Sequence, residues 1–187
     1  MTNAQDVADY LIIRASAAGN PVDQLKLQKL VYYAQAYHLA AFAEPLFADT
    51  VEAWRYGPAV RSVYSRFRSY GRTPIESQAS QTPSLEAAAR DWLDQVWSAF
   101  GGFSGPELAN RTHGEAPYRE AYDRRTSERS HEVIENDSMR DYYLDCYEEW
   151  QPGYVASMSA AYESVDSGRV ASTACTFPVS LRAVYDC

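Results

Sequence analysis

The chain has 187 residues, 46% of them hydrophobic and 22% charged, enough apolar content for one ordinary domain and too much for a chain disordered throughout. No apolar run approaches the ~20 residues of a membrane span, and Met1-Thr2-Asn3-Ala4-Gln5-Asp6 lacks the basic flank and apolar stretch of a signal peptide, so a cytoplasmic protein is expected. Net charge is −8, with 8 basic and 6 acidic side chains over residues 1–75 against 9 and 19 over residues 76–187; this argues against generic duplex binding and leaves room for a basic partner met by the acidic half.

In chain order, Val7, Tyr10, Leu11 and Arg14 fall at helical spacing between Asp6 and Ala17, and Gly19 stops that helix. Asp23 is placed to cap a second one. Its stripe runs Leu27, Leu30, Val31, Ala34, Tyr37, His38 and Ala41, with Lys26, Lys29 and Gln35 largely off it and Pro45 beyond its end. Leu46-Phe47 and Val51 to Trp54 are short β-prone pieces around Ala48-Asp49-Thr50, which predicts a hairpin over 46–56. Tyr56-Gly57-Pro58 reads as a turn whose proline starts a helix, with Val60, Val63, Tyr64 and Phe67 as its buried face and Gly71 as its stop.

After a polar loop, Thr82-Pro83 opens a helix carrying Leu85, Ala88, Trp92, Leu93, Val96 and Phe100 on one side. Ser104-x-x-Glu107 matches a capping box, and Glu115-Ala116-Pro117 turns into another short helix. Residues 124–137 read as an exposed loop, after which Ser138 caps a last helix over Met139 to Trp150. The elements predict a mainly α fold: a compact multi-helix domain over residues 1–150 with one small hairpin, then a partly helical or irregular extension over 151–187.

Signs of catalysis are sparse. Cys146, Cys175 and Cys187 form no C-x-x-C pair, and no phosphate loop, nucleophile elbow or H-E-x-x-H is present, so no metal and no cofactor is expected. His38 lies on a buried stripe and reads as a satisfied core histidine. His113-Gly114-Glu115 resembles half of the zinc-deaminase pattern but lacks the P-C-x-x-C that would supply the remaining ligands. A non-enzymatic role follows. Arg55, Arg61, Arg66, Arg68 and Arg72 interleave with Trp54, Tyr56, Tyr64, Phe67 and Tyr70; this is the composition of a nucleic-acid stacking surface and equally of an amphipathic helix beside a hairpin. Tyrosine, 15 of 187 residues, is a residue of protein–protein interfaces.

Three segments carry a family resemblance: Lys26 to Leu39 (KLQKLVYYAQAYHL), Glu52 to Val60 (EAWRYGPAV, preceded by Pro45-Leu46-Phe47) and Leu108 to Tyr118 (LANRTHGEAPY). Together they resemble the Panacea domain, the family of SocA-like antitoxins, over roughly residues 4–150. Ala36-Tyr37 and Tyr118 depart from the family pattern, each keeping an aromatic. The resemblance implies an antitoxin that neutralises a cognate toxin by direct binding, with toxic small alarmone synthetases among the toxins of the family, and members in bacteria, phages and prophages. It also implies an alternative, an adaptor that presents the toxin to a protease. A nucleic-acid-binding regulator and an enzyme on the same fold are further alternatives.

Lys29, Glu52 and His113 are polar groups in apolar or tightly turned segments, and buried polar groups need partners. They are expected to form a structural network with one another or with turn backbone. The candidate partner contacts are Arg61, Arg66, Tyr70, Tyr142 and Tyr147, because their helices also carry a separate apolar stripe.

Overall fold

In the computed structural model of the chain, the described residues are 2–75, 83, 85–124 and 131–150, the last six of these by backbone alone. They form a mainly α fold with seven helices and one three-stranded sheet: α1 (Ala4–Ala17), α2 (Gln24–Phe42), β1 (Val51–Trp54), β2 (Gly57–Val60), α3 (Arg61–Phe67), α4 (Ala87–Phe100), α5 (Gly105–Gly114), α6 (Ala116–Asp123), β3 (Glu132–Val133) and α7 (Asn136–Trp150). No described helix is long and apolar enough to cross a membrane. The extension over 151–187 lies outside the described residues.

The centre of the fold is α2, packed by α1, α3, α4, α5, α7 and β2. Asp23 caps it, accepting from the Lys26 amide at 2.8 Å, as its sequence position suggests. The expectation of a one-sided stripe fails here. Lys26, Gln28, Lys29 and Gln35 are buried along with Leu27, Leu30, Val31 and Ala34, so almost the whole circumference is interior. Such a helix is normally apolar all round. The exceptions hold the irregular backbone that surrounds them, which must find hydrogen-bond partners once out of water.

Gln35 shows how. Its Oε1 accepts from the amides of Leu46 at 2.9 Å and Phe47 at 3.2 Å, and its Nε2 donates to the Phe47 carbonyl at 3.1 Å. The Leu46-Phe47 piece, read as half of a hairpin, is therefore taken up by a helix side chain and by a parallel bridge to Thr2. Gln28 does the same two turns earlier, accepting from the Val60 amide at 2.8 Å and donating to its carbonyl at 3.4 Å. Lys26 donates to the Gly101 carbonyl at 2.7 Å, where α4 ends.

The hairpin lies further along the chain than expected. Val51 to Trp54 is its first strand, but Gly57 to Val60, read as a turn entering a helix, is the second, with Trp54 opposite Gly57 and Val51 opposite Val60. Pro58 has no N–H to give to a ladder. It sits on β2, an edge strand in the order β2-β1-β3, where that costs nothing. β3 is a second correction. It falls in the stretch read as loop, pairs antiparallel with β1 (Glu52 opposite Val133), and is followed by the buried Ile134, whose amide donates to the Val51 carbonyl at 2.8 Å. Helix α3 starts at Arg61, so Val63 and Phe67 are buried while Tyr64 faces out at 37% exposure.

The remaining helices follow their sequence signals. Ser104 and Glu107 complete the capping box of α5, and Glu115 stands between α5 and α6, with Pro117 in the first turn of α6. α4 starts at Ala87 rather than at Thr82-Pro83, leaving Ala88 exposed, and α7 starts at Asn136 rather than behind Ser138.

Candidate functional site: a buried junction and an exposed face

The three sequence segments of the resemblance meet at one point. Lys29, from α2, donates its Nζ to the Pro58 carbonyl at 2.7 Å. Thr112, from α5, is fully buried and donates its hydroxyl to the Ala109 carbonyl at 2.8 Å. Gly57 lies against both. It has a φ of +93°, and a Cβ there would stand 2.7 Å from Thr112 Oγ1 and 2.8 Å from Lys29 Nζ. Glycine is required twice over at this position, once for the backbone and once for the space. The spacing of the segments is thus explained: helix, turn and helix each supply one wall of a single close approach.

Glu115 closes the junction from beneath α5. The residue is half-buried, but its carboxylate is enclosed, accepting from the Tyr33 hydroxyl at 2.9 Å and from the Tyr143 hydroxyl at 2.5 Å. The Tyr143 and Tyr32 hydroxyls lie 3.1 Å apart. Each phenol has one proton, so Tyr143 gives its own to Glu115 and accepts that of Tyr32. Tyr33 stacks on Phe100 at 4.3 Å, and Tyr37 packs on Tyr143 at 4.8 Å. Burial pushes the Glu115 carboxyl up to about 7, against the opposing pull of the Tyr143 and Tyr33 hydroxyls and of Arg111 and Lys29. Burial also pushes the Lys29 ammonium down to about 7, with the Glu115 charge opposing. Both groups spend their polar atoms on protein partners, so the arrangement ties α2, the hairpin, α5 and α7 together.

Lys29, Glu52 and His113 are not joined to one another, and of the two expected forms Lys29 takes the bond to turn backbone. Lys29 holds the Pro58 carbonyl. Glu52, on the other side of β1, takes a two-pronged pair from Arg61 (Nε to Oε1 3.0 Å, Nη2 to Oε2 2.6 Å) and a third bond from Trp54 Nε1 at 2.8 Å. His113 is exposed and stacks on Tyr118 at 4.9 Å, its pKa lowered by burial of the ring and by the Lys29 charge. Tyr118 in turn donates to the Trp54 carbonyl at 2.7 Å, which fixes α6 to the hairpin. His38 is half-buried with Nδ1 2.7 Å from the Glu44 carbonyl.

Of the candidate partner contacts, Arg61 has the most open side chain, at 61%, although Glu52 engages it. Arg66 pairs with Asp9 at 2.9 Å and lies over the Phe67 ring. Tyr70 packs on Phe67, and Tyr142 packs edge-on against Tyr143 beside the Glu115 cage. The side chain of Tyr147 lies outside the described residues. The sequence singled out neither Thr112 nor Tyr143 as a site residue, and it marked Glu115 as the start of a turn and as part of an incomplete metal pattern, without a role in a buried junction. The available signal was that Thr112-His113-Gly114-Glu115 closes α5 and leads into α6, with α5 packed against α2.

The opposite face of the hairpin is open. Among the described residues the exposed large hydrophobics are Tyr56 (66%), Phe42 (55%), Tyr64 (37%) and Val133 (37%), three of them on the sheet and α3. The Trp54 ring meets Tyr64 edge-on at 4.7 Å, with the Arg61 guanidinium 5.5 Å from its centre and the His131 ring at 4.7 Å. Arg55 lies over Tyr56. No group of three or more His, Cys, Asp or Glu among the described residues is placed to hold a metal ion.

Comparison with known proteins adds the following. Residues 27–119 match the model of the "Antitoxin SocA-like, Panacea domain" family, a range that contains every residue of the junction except those of α7. A curated relative, Antitoxin SocA of Caulobacter vibrioides (strain NA1000 / CB15N), is 28% identical over 122 residues, covering 59% of this chain and 65% of the relative. No solved structure matches the chain.

Proposed function

We propose that this chain, a member of the SocA-like Panacea domain family, is the antitoxin of a toxin–antitoxin pair and neutralises its toxin by direct protein–protein binding, without catalysis. The observation that carries this reading is the division of labour around the hairpin. The polar residues of the matched segments are spent on scaffolding: Lys29 on the Pro58 carbonyl, Gln28 on Val60, Glu52 on Arg61. At the hairpin turn the second segment leaves Arg55 and Tyr56 in solvent, and Tyr64 of the adjoining α3 is exposed as well, residue types that anchor protein interfaces. A cytoplasmic location and a toxin encoded beside this chain belong to the same reading, and a toxic small alarmone synthetase is the toxin class to try first.

The test is co-expression with the product of the neighbouring reading frame. That product alone should arrest growth, this chain should restore it, and the two should elute together at fixed stoichiometry. Rescue that requires an intact protease, with a shortened toxin half-life, would replace blocking with adaptor action. Inactivation by far less than one equivalent of purified protein would point to catalysis instead.

A further inference from the structure

The hairpin and α3 share an outer face whose charge is unlike that of the rest of the molecule. From Ala53 to Ile75 there are five arginines and no Asp or Glu, in a chain of net charge −8. Two of these arginines are compensated, Arg61 by Glu52 and Arg66 by Asp9. Arg55 and Arg68 form no ion pair with a described residue and are exposed. Arg55 adjoins Tyr56 at the hairpin turn, and Arg68 follows Tyr64 by four residues, one helical turn along the same side. Tyr56 and Tyr64 fall between the two arginines in the chain, the Trp54 ring meets Tyr64 edge-on at 4.7 Å, and Val133 lies opposite Glu52 on the neighbouring strand.

Clustered exposed aromatics rimmed by charge mark an interaction site rather than ordinary surface. We propose that Arg55, Tyr56, Tyr64, Arg68 and Val133 form the docking surface for the partner protein, and that it takes a segment presenting an apolar or aromatic side chain flanked by Asp or Glu. Charge sets the occupant. An acidic segment pairs with two arginines that lack acids, and its apolar side chain covers rings that would otherwise stay wet. Nucleic acid fits less well: Glu52 and Glu132 lie on strands of the same sheet, and the chain as a whole repels phosphate.

The Trp54 indole is held from beneath by its bond to Glu52, so the platform under Tyr64 is already fixed before a partner arrives. This inference deepens the antitoxin reading and rests on it only for the identity of the partner.

A displayed random-peptide library panned against the full chain tests it without the toxin. Enriched peptides should share an apolar or aromatic residue beside Asp or Glu. They should bind wild type about tenfold or more tighter than Tyr56→Ala/Tyr64→Ala. Arg55→Glu, at an exposed position, should weaken them as well, with melting temperatures unchanged. No enrichment, or peptides that bind the variants equally, would overturn the surface. Tight binding of an oligo(dT) of about 20 nucleotides, lost in the same variants, would make the face a stacking platform for single strands and overturn the protein assignment. Growth rescue is scored separately. Rescue with no selected peptides sinks only this surface, and selected peptides without rescue sink only the antitoxin reading.

Discussion

On the inner side of the hairpin, Gly57 and Pro58 press against Lys29 and Thr112 with no room for a methyl group; on the outer side, one residue earlier, Arg55 and Tyr56 stand in water. The inner side is polar chemistry in a dry place, and every group there has a protein partner. The outer side is aromatic surface in a wet place, its rings meeting arginine and one another with one edge left to solvent. The contrast teaches that residue type misleads here if polar is equated with exposed. In this four-residue turn the lysine partner is structural, while the tyrosine and arginine are free for recognition.

The sharpest way to break the contrast is Gly57→Ala. A Cβ 2.7–2.8 Å from Thr112 and Lys29, on a backbone at +93°, should cost about 3 kcal/mol or more or abolish folding, as read by thermal or urea unfolding. Next is Tyr143→Phe, which leaves Glu115 with one hydroxyl donor and should cost roughly 1–3 kcal/mol. Hydrogen exchange should show that loss concentrated in α7.

Glu115→Gln probes the same side through pH. Burial holds the folded carboxyl near 7 against 4.5 for the ordinary group, so the folded chain binds a proton over that interval which the unfolded chain has released. Its stabilising contribution is complete below about pH 4.5 and is lost as pH rises through about 7. Lys29, lowered from 10.5 to about 7, works in the other direction: its contribution is complete above 10.5 and is lost as pH falls through 7. The melting temperature of the Gln variant relative to wild type should therefore rise between about pH 5 and pH 7.5, and a flat difference would show the carboxyl to be ordinary. On the outer side, Tyr56→Ala should change stability by no more than about 0.5 kcal/mol, and a larger loss would mean that the ring belongs to the fold.

The helical order of the fold was legible because its punctuation is local. Asp23, the Ser104–Glu107 box and Pro117 each act within one turn of themselves, so their meaning survives without knowledge of the neighbours. The polar clamps of α2 were not legible in this way. Periodicity alone puts Gln35 off the buried stripe, and only the irregular backbone it binds, at Leu46-Phe47, reverses that; Lys29 was marked by its apolar neighbours, but its partner, the Pro58 carbonyl, is distant in sequence. The strand β3 is two residues long and exists through its pairing with Glu52 and Ala53, so no pattern of its own could announce it. Leu46-Phe47 carries strand propensity but is bound by Gln35, an instance of tertiary context overriding propensity.

The two glutamines of α2 also make that helix a ruler. Gln28 grips the end of β2 and Gln35 grips the Leu46-Phe47 backbone, and the step of seven positions from one to the other spans about 10.5 Å over two turns. An inserted or deleted residue between them would turn one grip about 100° away from its target while leaving the other in place. A change of length in the middle of the helix cannot be absorbed locally, because each glutamine measures its position from the other.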